Sequence, residues 1–259
     1  MNKFLLPFLN YKYLLLQLTL REIKARYKQS IMGYAWVLIN PLAQLIVYSI
    51  VFSIFIRFPT DNLPYPIFLF AGLLPWIFFQ SSLTTATLCL VNNDDLIRKV
   101  YFPREVLPYA VVASKIIDFF FAGALFLIFI FIYHVSLNLN LPILSLTFLT
   151  QLFLTVGLSL MFSTFNLFYR DIQFLINLVL MLWMYLTPII YPLNLVPKQY
   201  LVIYRLNPMV GVVEGYRNAL FNSVFDFSDL LIALVISFAL FIFGFVIFKR
   251  SESVFADMI

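Results

Sequence analysis

Six stretches of this chain run for about 20 residues with almost no charge, and that feature decides most of what the chain can fold into. They cover residues 33–56, 66–91, 107–133, 143–169, 173–191 and 230–248, each flanked by charges, prolines or polar clusters. A bilayer core of about 30 Å takes about 20 residues at about 1.5 Å each, so the runs match the length of membrane-crossing helices. They are too long for barrel strands, and lipid offers no partner to open backbone groups, so the expected fold is an all-α membrane protein with six transmembrane helices. Composition agrees: 63% of the residues are hydrophobic and 11% charged, against about 45–50% and 25% in soluble domains. No internal repeat is visible.

Lysine and arginine placed around these runs predict orientation. If the N-terminus is inside, the cytoplasmic segments hold Lys3, Lys12, Arg21, Lys24, Arg26, Lys28, Arg98, Lys99, Arg104, Arg170, Lys249 and Arg250, whereas the outer ones hold Arg57, Lys198, Arg205 and Arg217. Both termini are therefore expected in the cytoplasm. The net charge of +5 is a topology signal on this reading and does not point to nucleic acid. The segment after Met1 is too short and proline-broken for a signal sequence, so the N-terminus is expected to be retained. The single cysteine, Cys89, excludes an intrachain disulfide and reads as packing, and the single histidine, His134, reads as interfacial.

Residues 10–32 carry a cluster of cations directly before the first apolar run. Leu16, Leu20, Ile23 and Tyr27 share one face at helical spacing while Arg21, Lys24, Arg26 and Lys28 point elsewhere, which predicts an amphipathic helix lying on the cytoplasmic leaflet. Anchoring and orientation account for such cations at about 1 kcal/mol each. A doorway for a lipid with an anionic head uses the same charges. Within the spans, Thr155, Ser159, Ser163 and Asn166 share one face, as do Gln80, Thr84 and Thr87, and as do Trp36, Asn40 and Gln44. Small polar residues of this kind either join helices or line a hydrogen-bonding conduit. Trp36, Trp76, Phe78, Phe79, Trp183 and Tyr185 fit a conduit with ring faces for sugars, and equally a membrane aromatic belt. Lys115 and Asp118, three residues apart inside the third run, predict a salt bridge within or between helices; a proton relay finds no further acidic residue to continue it.

Two segments do not span. Residues 92–106 begin with cap candidates Asn92 and Asn93, continue with Asp94, Leu96, Arg98 and Lys99, and stop near Pro103, predicting a short amphipathic helix from Leu96 to Phe102 for lipid or a partner protein to hold. Residues 192–222 are too apolar for a solvated loop, yet Pro192, Pro197 and Pro208 cut them into pieces too short to cross, which predicts two outer re-entrant half-helices. Gly211 and Gly215 give a small-xxx-small spacing there.

At this point the segments "REIKARYKQSIMGYAWVLINPL", "FAGLLPWIFFQSS", "LIRKVYFPREVLP", "NLFYRDIQFLINLVLMLWMYLTPIIYPLNLVP" and "YRLNPMVGVVEGYRNALF" carry a resemblance across nearly the whole chain. The chain resembles the permease subunits of the ABC-2 family of bacterial polysaccharide exporters, of the O-antigen type, with teichoic acid and capsule exporters as near relatives. The resemblance implies one transmembrane domain over residues 1–259, paired with a second copy of itself and with two ATP-binding cassette subunits in the inner membrane. It implies a lipid-linked glycan as cargo, with undecaprenyl diphosphate as the anionic head that Arg21, Lys24, Arg26, Lys28, Arg98 and Lys99 would receive. It further implies that Asn92, Asp94, Leu96, Tyr101, Phe102 and Arg104 couple to the ATP-binding partner, and that Glu214 and Arg217 belong to an outer gate. None of the seven glycines opens a G-x-x-x-x-G-K-[ST] loop, so ATP and magnesium are expected at the partner and no cofactor in this chain. An ion-coupled transporter would want ionisable residues at the bilayer midplane, and a polyprenyl-processing enzyme paired carboxylates or clustered histidines; a neighbouring reading frame with a Walker loop discriminates the exporter from both.

The cation asymmetry generates a direct test. With Cys89 replaced by serine, Asp61→Cys, Asn138→Cys and Lys198→Cys are expected to react with an impermeant thiol reagent from outside and Leu96→Cys to be protected. The reverse pattern for Lys198→Cys and Leu96→Cys would overturn the topology.

Overall fold

Backbone groups in lipid must satisfy one another, and the described residues form helices and turns with no strand among them. The computed structural model describes residues 11–28, 30–56, 63–222 and 226–258. The segment after Met1, with Lys3, and the loop holding Arg57 and Asp61 lie outside those residues. Helix α1 is Lys12–Tyr27; a 3₁₀ turn, Gly33–Ala35, leads into α2, Trp36–Ser49, which continues as a π-helical stretch, Ile50–Ile56. There follow α3 (Tyr65–Leu88), α4 (Asp94–Lys99), α5 (Val106–Ile132), α6 (Leu141–Phe168), α7 (Ile172–Tyr185), α8 (Leu201–Arg205), α9 (Pro208–Phe221), α10 (Phe227–Ser251) and α11 (Phe255–Met258).

The local sequence explains the starts. Asn140, Asn207 and Asp226 each accept a hydrogen bond from a backbone N–H in the first turn of the following helix, and prolines stand in the first turns of α3, α6 and α9, where the missing N–H costs nothing. The end of α5 is shaped by His134, whose left-handed φ of 52° lets Val135 N–H reach back to the Ile130 carbonyl.

Helix α3 is the central element, buried along most of its length against α2, α5, α6, α7 and α9. Around it lies one apolar core with Trp76, Phe79, Leu154, Val213 and Ile189; a second, at the end bearing α1, gathers Leu18, Cys89, Ile97, Phe102, Phe248 and Phe255. Cys89 is buried there, as a packing residue should be. The closest helix pair is α6 with α10, where Gly157 meets Gly244. A Cβ on Gly157 would stand 2.5 Å from Phe241 Cα, and one on Gly244 would fall onto the Gly157 carbonyl. Backbones come this near only where both lack side chains.

Four expectations change. Among the described residues five helical segments are long and apolar enough to cross, namely Gly33–Ser53, Tyr65–Leu88, Val106–Ile132, Leu141–Phe168 and Phe227–Val254, but the run over 173–191 is helical only as Ile172–Tyr185, 14 residues, because the chain turns at Leu186 ahead of Pro188. The predicted stripe on α1 divides: Ile23 joins Leu18 in packing towards the bundle, while Leu16 and Leu20 stay exposed, since docking on α5 selects a different face from the one the spacing suggests. The helix expected over Leu96 to Phe102 occupies Asp94–Lys99, ending at an extended Val100 that turns Phe102 into the second core. Of the two half-helices expected in 192–222, only α9 is one; the other half consists of two 3₁₀ turns and the five residues of α8. Gly211 and Gly215 on α9 are both close-packing positions, against the Asp229 carbonyl and against Thr147.

Gly157→Val should lower the thermal unfolding temperature of the purified protein, with overpacking costing about 1–3 kcal/mol, whereas Gly123→Ala, which meets nothing within 4 Å, should not. Equal melting of both variants would show that the α6–α10 approach is not tight.

Candidate functional site

The cations of α1 separate by direction. Arg26 turns inward and forms an ion pair with Asp118 of α5, with Nη2 also donating to Ser114 Oγ at 3.0 Å. Arg21, Lys24 and Lys28 line a shallow cavity of about 580 Å³ with Gln17, Leu20 and Tyr34. Arg21 also donates to Asn93 Oδ1, which ties α1 to the turn before α4. Arg98 and Lys99 are exposed on α4 and line neither cavity at this end, so the structure does not bring them to the other four. Lys99 instead holds Asp95 at 2.6 Å, and that hydrogen bond keeps the Asp95 carboxyl below its usual range.

Between α1, α2, α3 and α5 lies a cavity of about 410 Å³. Arg26, Lys115 and Asp118 charge one wall; Trp36, Asn40, Phe78 and Ser81 supply rings and hydrogen-bonding groups on the others. Of the two arrangements expected for Lys115 and Asp118, the salt bridge within the helix does not form, and Asp118 takes the one between helices. Asp118 is taken by Arg26, whose planar fork reaches Asp118 and Ser114 together, and Lys115 makes no ion pair or hydrogen bond with any described residue.

Most of the remaining conduit candidates are interior. Trp76, Phe79, Thr155, Ser159 and Ser163 are fully buried by the subunit's own helices, and Thr155 and Ser163 donate to Gln151 and Leu160 carbonyls one turn back. Of the two readings left open by the sequence, these residues take the packing one. Phe79 lies between Trp76, against which it is tilted, and Trp183, which it meets edge-on, and Trp183 Nε1 donates to Asn207 Oδ1 at 2.8 Å. By contrast, Trp36, Asn40 and Tyr185 are exposed, with Gln44 half-buried beside them on α2.

Of the coupling candidates, Tyr101 is 92% exposed and Asn92 and Asp94 are exposed, with Leu96 half-buried. Phe102 is 4% exposed and belongs to the core, so it cannot serve as a surface anchor. Arg104 donates from its backbone N–H and its guanidinium to Glu252, and Lys249 bridges Glu105 at 2.7 Å and Glu252 at 2.9 Å. The C-terminal end of α10 therefore braces the segment from behind.

At the opposite end, Arg217 is 1% exposed. Its Nη1 donates to the Pro188 carbonyl and to Glu214 Oε1, both at 2.7 Å; its Nη2 donates to Ile189 at 2.8 Å and Phe68 at 3.3 Å, and the guanidinium covers the Phe68 ring at 3.6 Å. Glu214 and Arg217 border a cavity of about 960 Å³ that also takes in Tyr133, His134, Arg205, Asp226 and Asp229. Asp226 accepts hydrogen bonds from Ser228 and faces Arg205, and these hold its carboxyl below the usual range.

Sequence reasoning passed over two polar residues that organise this end. Asn207 caps α9 and also binds Trp183 and Thr187; an Asn directly before Pro208 is a helix-start signature. Gln151 donates to the Pro75 carbonyl and accepts from Tyr216, joining α3, α6 and α9, and nothing in its local sequence marks it.

Comparison with known proteins agrees with this architecture. The chain is 32% identical over 250 residues, 95% of either chain, to the O-antigen export system permease protein RfbA of Klebsiella pneumoniae, and 32% identical over 253 residues to the RfbA of Myxococcus xanthus, covering 96% of each. It is 26% identical over 206 residues to the polysialic acid transport protein KpsM of Escherichia coli, 78% of this chain and 79% of that one. Residues 13–221 match the ABC-2 type transporter family as a whole, and the chain belongs to that family.

Proposed function

We propose that this chain is the permease subunit of an ATP-driven exporter that moves a polyprenyl-diphosphate-linked polysaccharide, of the O-antigen type, across the bacterial inner membrane. The observation that carries the reading is the cavity in which Arg26 and Lys115 meet Trp36, Asn40 and Phe78, since it joins phosphate-binding charge to sugar-binding rings and amides at the basic rim. The relatives named for O-antigen export align along almost the full chain, whereas the polysialic acid relative aligns over less of it at lower identity. That ordering favours O-antigen over capsule cargo. An ion-coupled carrier fits less well, because the acidic side chain facing the cavity, Asp118, is already neutralised by Arg26.

In this reading α7 and the turn after it complete a sixth crossing, and both termini face the cytoplasm. A second copy meets this one along the exposed faces of α2 and α7, so Trp36, Asn40, Gln44 and Tyr185 line the glycan path between them. Two ATP-binding cassette subunits, with ATP and magnesium, sit against Asn92, Asp94, Leu96 and Tyr101. Glu214 and Arg217 form the frame of the outer exit. Arg21, Lys24 and Lys28 gather the lipid diphosphate ahead of the cavity.

The test uses the permease co-purified with its ATP-binding partner in nanodiscs. Undecaprenyl-diphosphate glycan should stimulate ATP hydrolysis, and Lys24→Gln with Lys28→Gln should raise the half-maximal concentration roughly tenfold or more, at about 1 kcal/mol per cation. An unchanged half-maximal concentration would return these cations to membrane anchoring. Tyr101→Ala should weaken co-purification of the partner by about 2 kcal/mol while the permease itself melts normally. Phe102→Ala should instead lower the melting temperature, at about 3–5 kcal/mol for a buried ring. Normal partner binding by Tyr101→Ala would remove that residue from the contact.

A further inference from the structure

The three charges lining the 410 Å³ cavity do not cancel. Arg26 and Lys115 bring two positive charges and Asp118 one negative, and Asp118 is committed to Arg26. Lys115 is 8% exposed and has neither hydrogen bond nor ion pair among the described residues. Asp118 and Glu22 lie near enough for their charge to act on Lys115, but neither carboxylate touches its ammonium, so a buried cation is left with its hydrogen-bonding capacity unused. A buried cation that contacts no acceptor thus faces the same cavity as the Arg26–Asp118 pair, and an anion entering there would meet both cations.

We infer that Lys115 is the fixed phosphate-binding cation of this cavity, and that Asp118 is a built-in stand-in anion which an incoming lipid diphosphate displaces from Arg26. The inference rests on the exporter reading and names the residues that would hold the lipid head within it. A diphosphate supplies enough oxygens to engage both cations at once: Lys115 as a point charge and the Arg26 fork in bidentate fashion, with Ser114 Oγ beside it. Release of Asp118 frees α1 from its ionic tie to α5 as the head group arrives. The source is a lipid and not free diphosphate, because Val37, Leu74, Ile77 and Phe119 make the remaining walls apolar. Asp118 thereby competes with the head group for Arg26, which gives Lys115 and Asp118 opposite effects on affinity.

The experiment titrates undecaprenyl diphosphate, carrying no glycan, against the complete transporter in nanodiscs and reads the half-maximal concentration for ATPase stimulation. Lys115→Met should raise it about tenfold, as expected for loss of one charge-assisted contact. Lys115→Arg should stay within about twofold of the parent, which separates loss of charge from loss of folding. Asp118→Asn should lower the half-maximal concentration, because Arg26 no longer has to be won from a carboxylate. Inorganic pyrophosphate at the same concentrations should leave stimulation unaltered; equal competition by it would overturn the lipid assignment. Parent-like stimulation in Lys115→Met, or weakening in Asp118→Asn, would overturn the site while leaving the exporter standing. A parent transporter that undecaprenyl diphosphate does not stimulate would overturn the exporter reading itself, and the site with it.

Discussion

A guanidinium buried away from water must find an acceptor for nearly every N–H, and Arg217 finds its acceptors on three separate pieces of chain. Phe68 near the start of α3, the Pro188–Ile189 turn after α7 and Glu214 one turn back on α9 are all held to one charge. The cost of stripping that charge of its partners runs to about 3–5 kcal/mol, so the three pieces cannot drift apart independently. The carbonyls of the turn in turn need the arginine, because the chain there makes few regular helical bonds. Asn207 and Gln151 extend the same logic, each joining segments whose backbones are irregular at Pro208, Thr187 and Pro75. This end of the molecule is therefore built around polar groups that replace missing backbone hydrogen bonds.

The basic end follows a different principle. Its ties are made by cationic side chains that join short segments to the long helices or to one another: ion pairs of Arg26 with Asp118 and of Lys249 with Glu105 and Glu252, and a hydrogen bond from Arg21 to Asn93. Helix α1 therefore touches both the cavity through Arg26 and the turn before α4 through Arg21. In the proposed transporter, ligand in the cavity and partner on α4 would act on one helix from its two charged residues. The apolar faces of α2 and α7 are left outward, where α3, α6 and α9 already fill the interior.

The amino-acid sequence alone determined that the chain lies in a membrane and where most of its apolar helices begin, because these follow from run length, prolines and capping residues that act locally, but not that the fifth of the six runs forms a helix of only 14 residues. The cap position before α4 at Asn93 and the basic character of α1 were legible for the same reason, whereas the separation of exposed Tyr101 from buried Phe102 was not. Tertiary structure alone decided which polar residues face a cavity. Thr155, Ser159 and Ser163 form as regular a stripe as Trp36, Asn40 and Gln44, yet the first is buried against neighbouring helices such as α10 and α3, whereas Trp36 and Asn40 of the second stay exposed and Gln44 half-buried. It also decided that Asp118 answers Arg26, 92 residues away, in preference to Lys115 three residues away on the same helix. Spacing fixes which side chains share a face, but the partner of a charge is chosen by whichever reach and geometry satisfy most of its hydrogen bonds, and that choice exists only once the helices are packed.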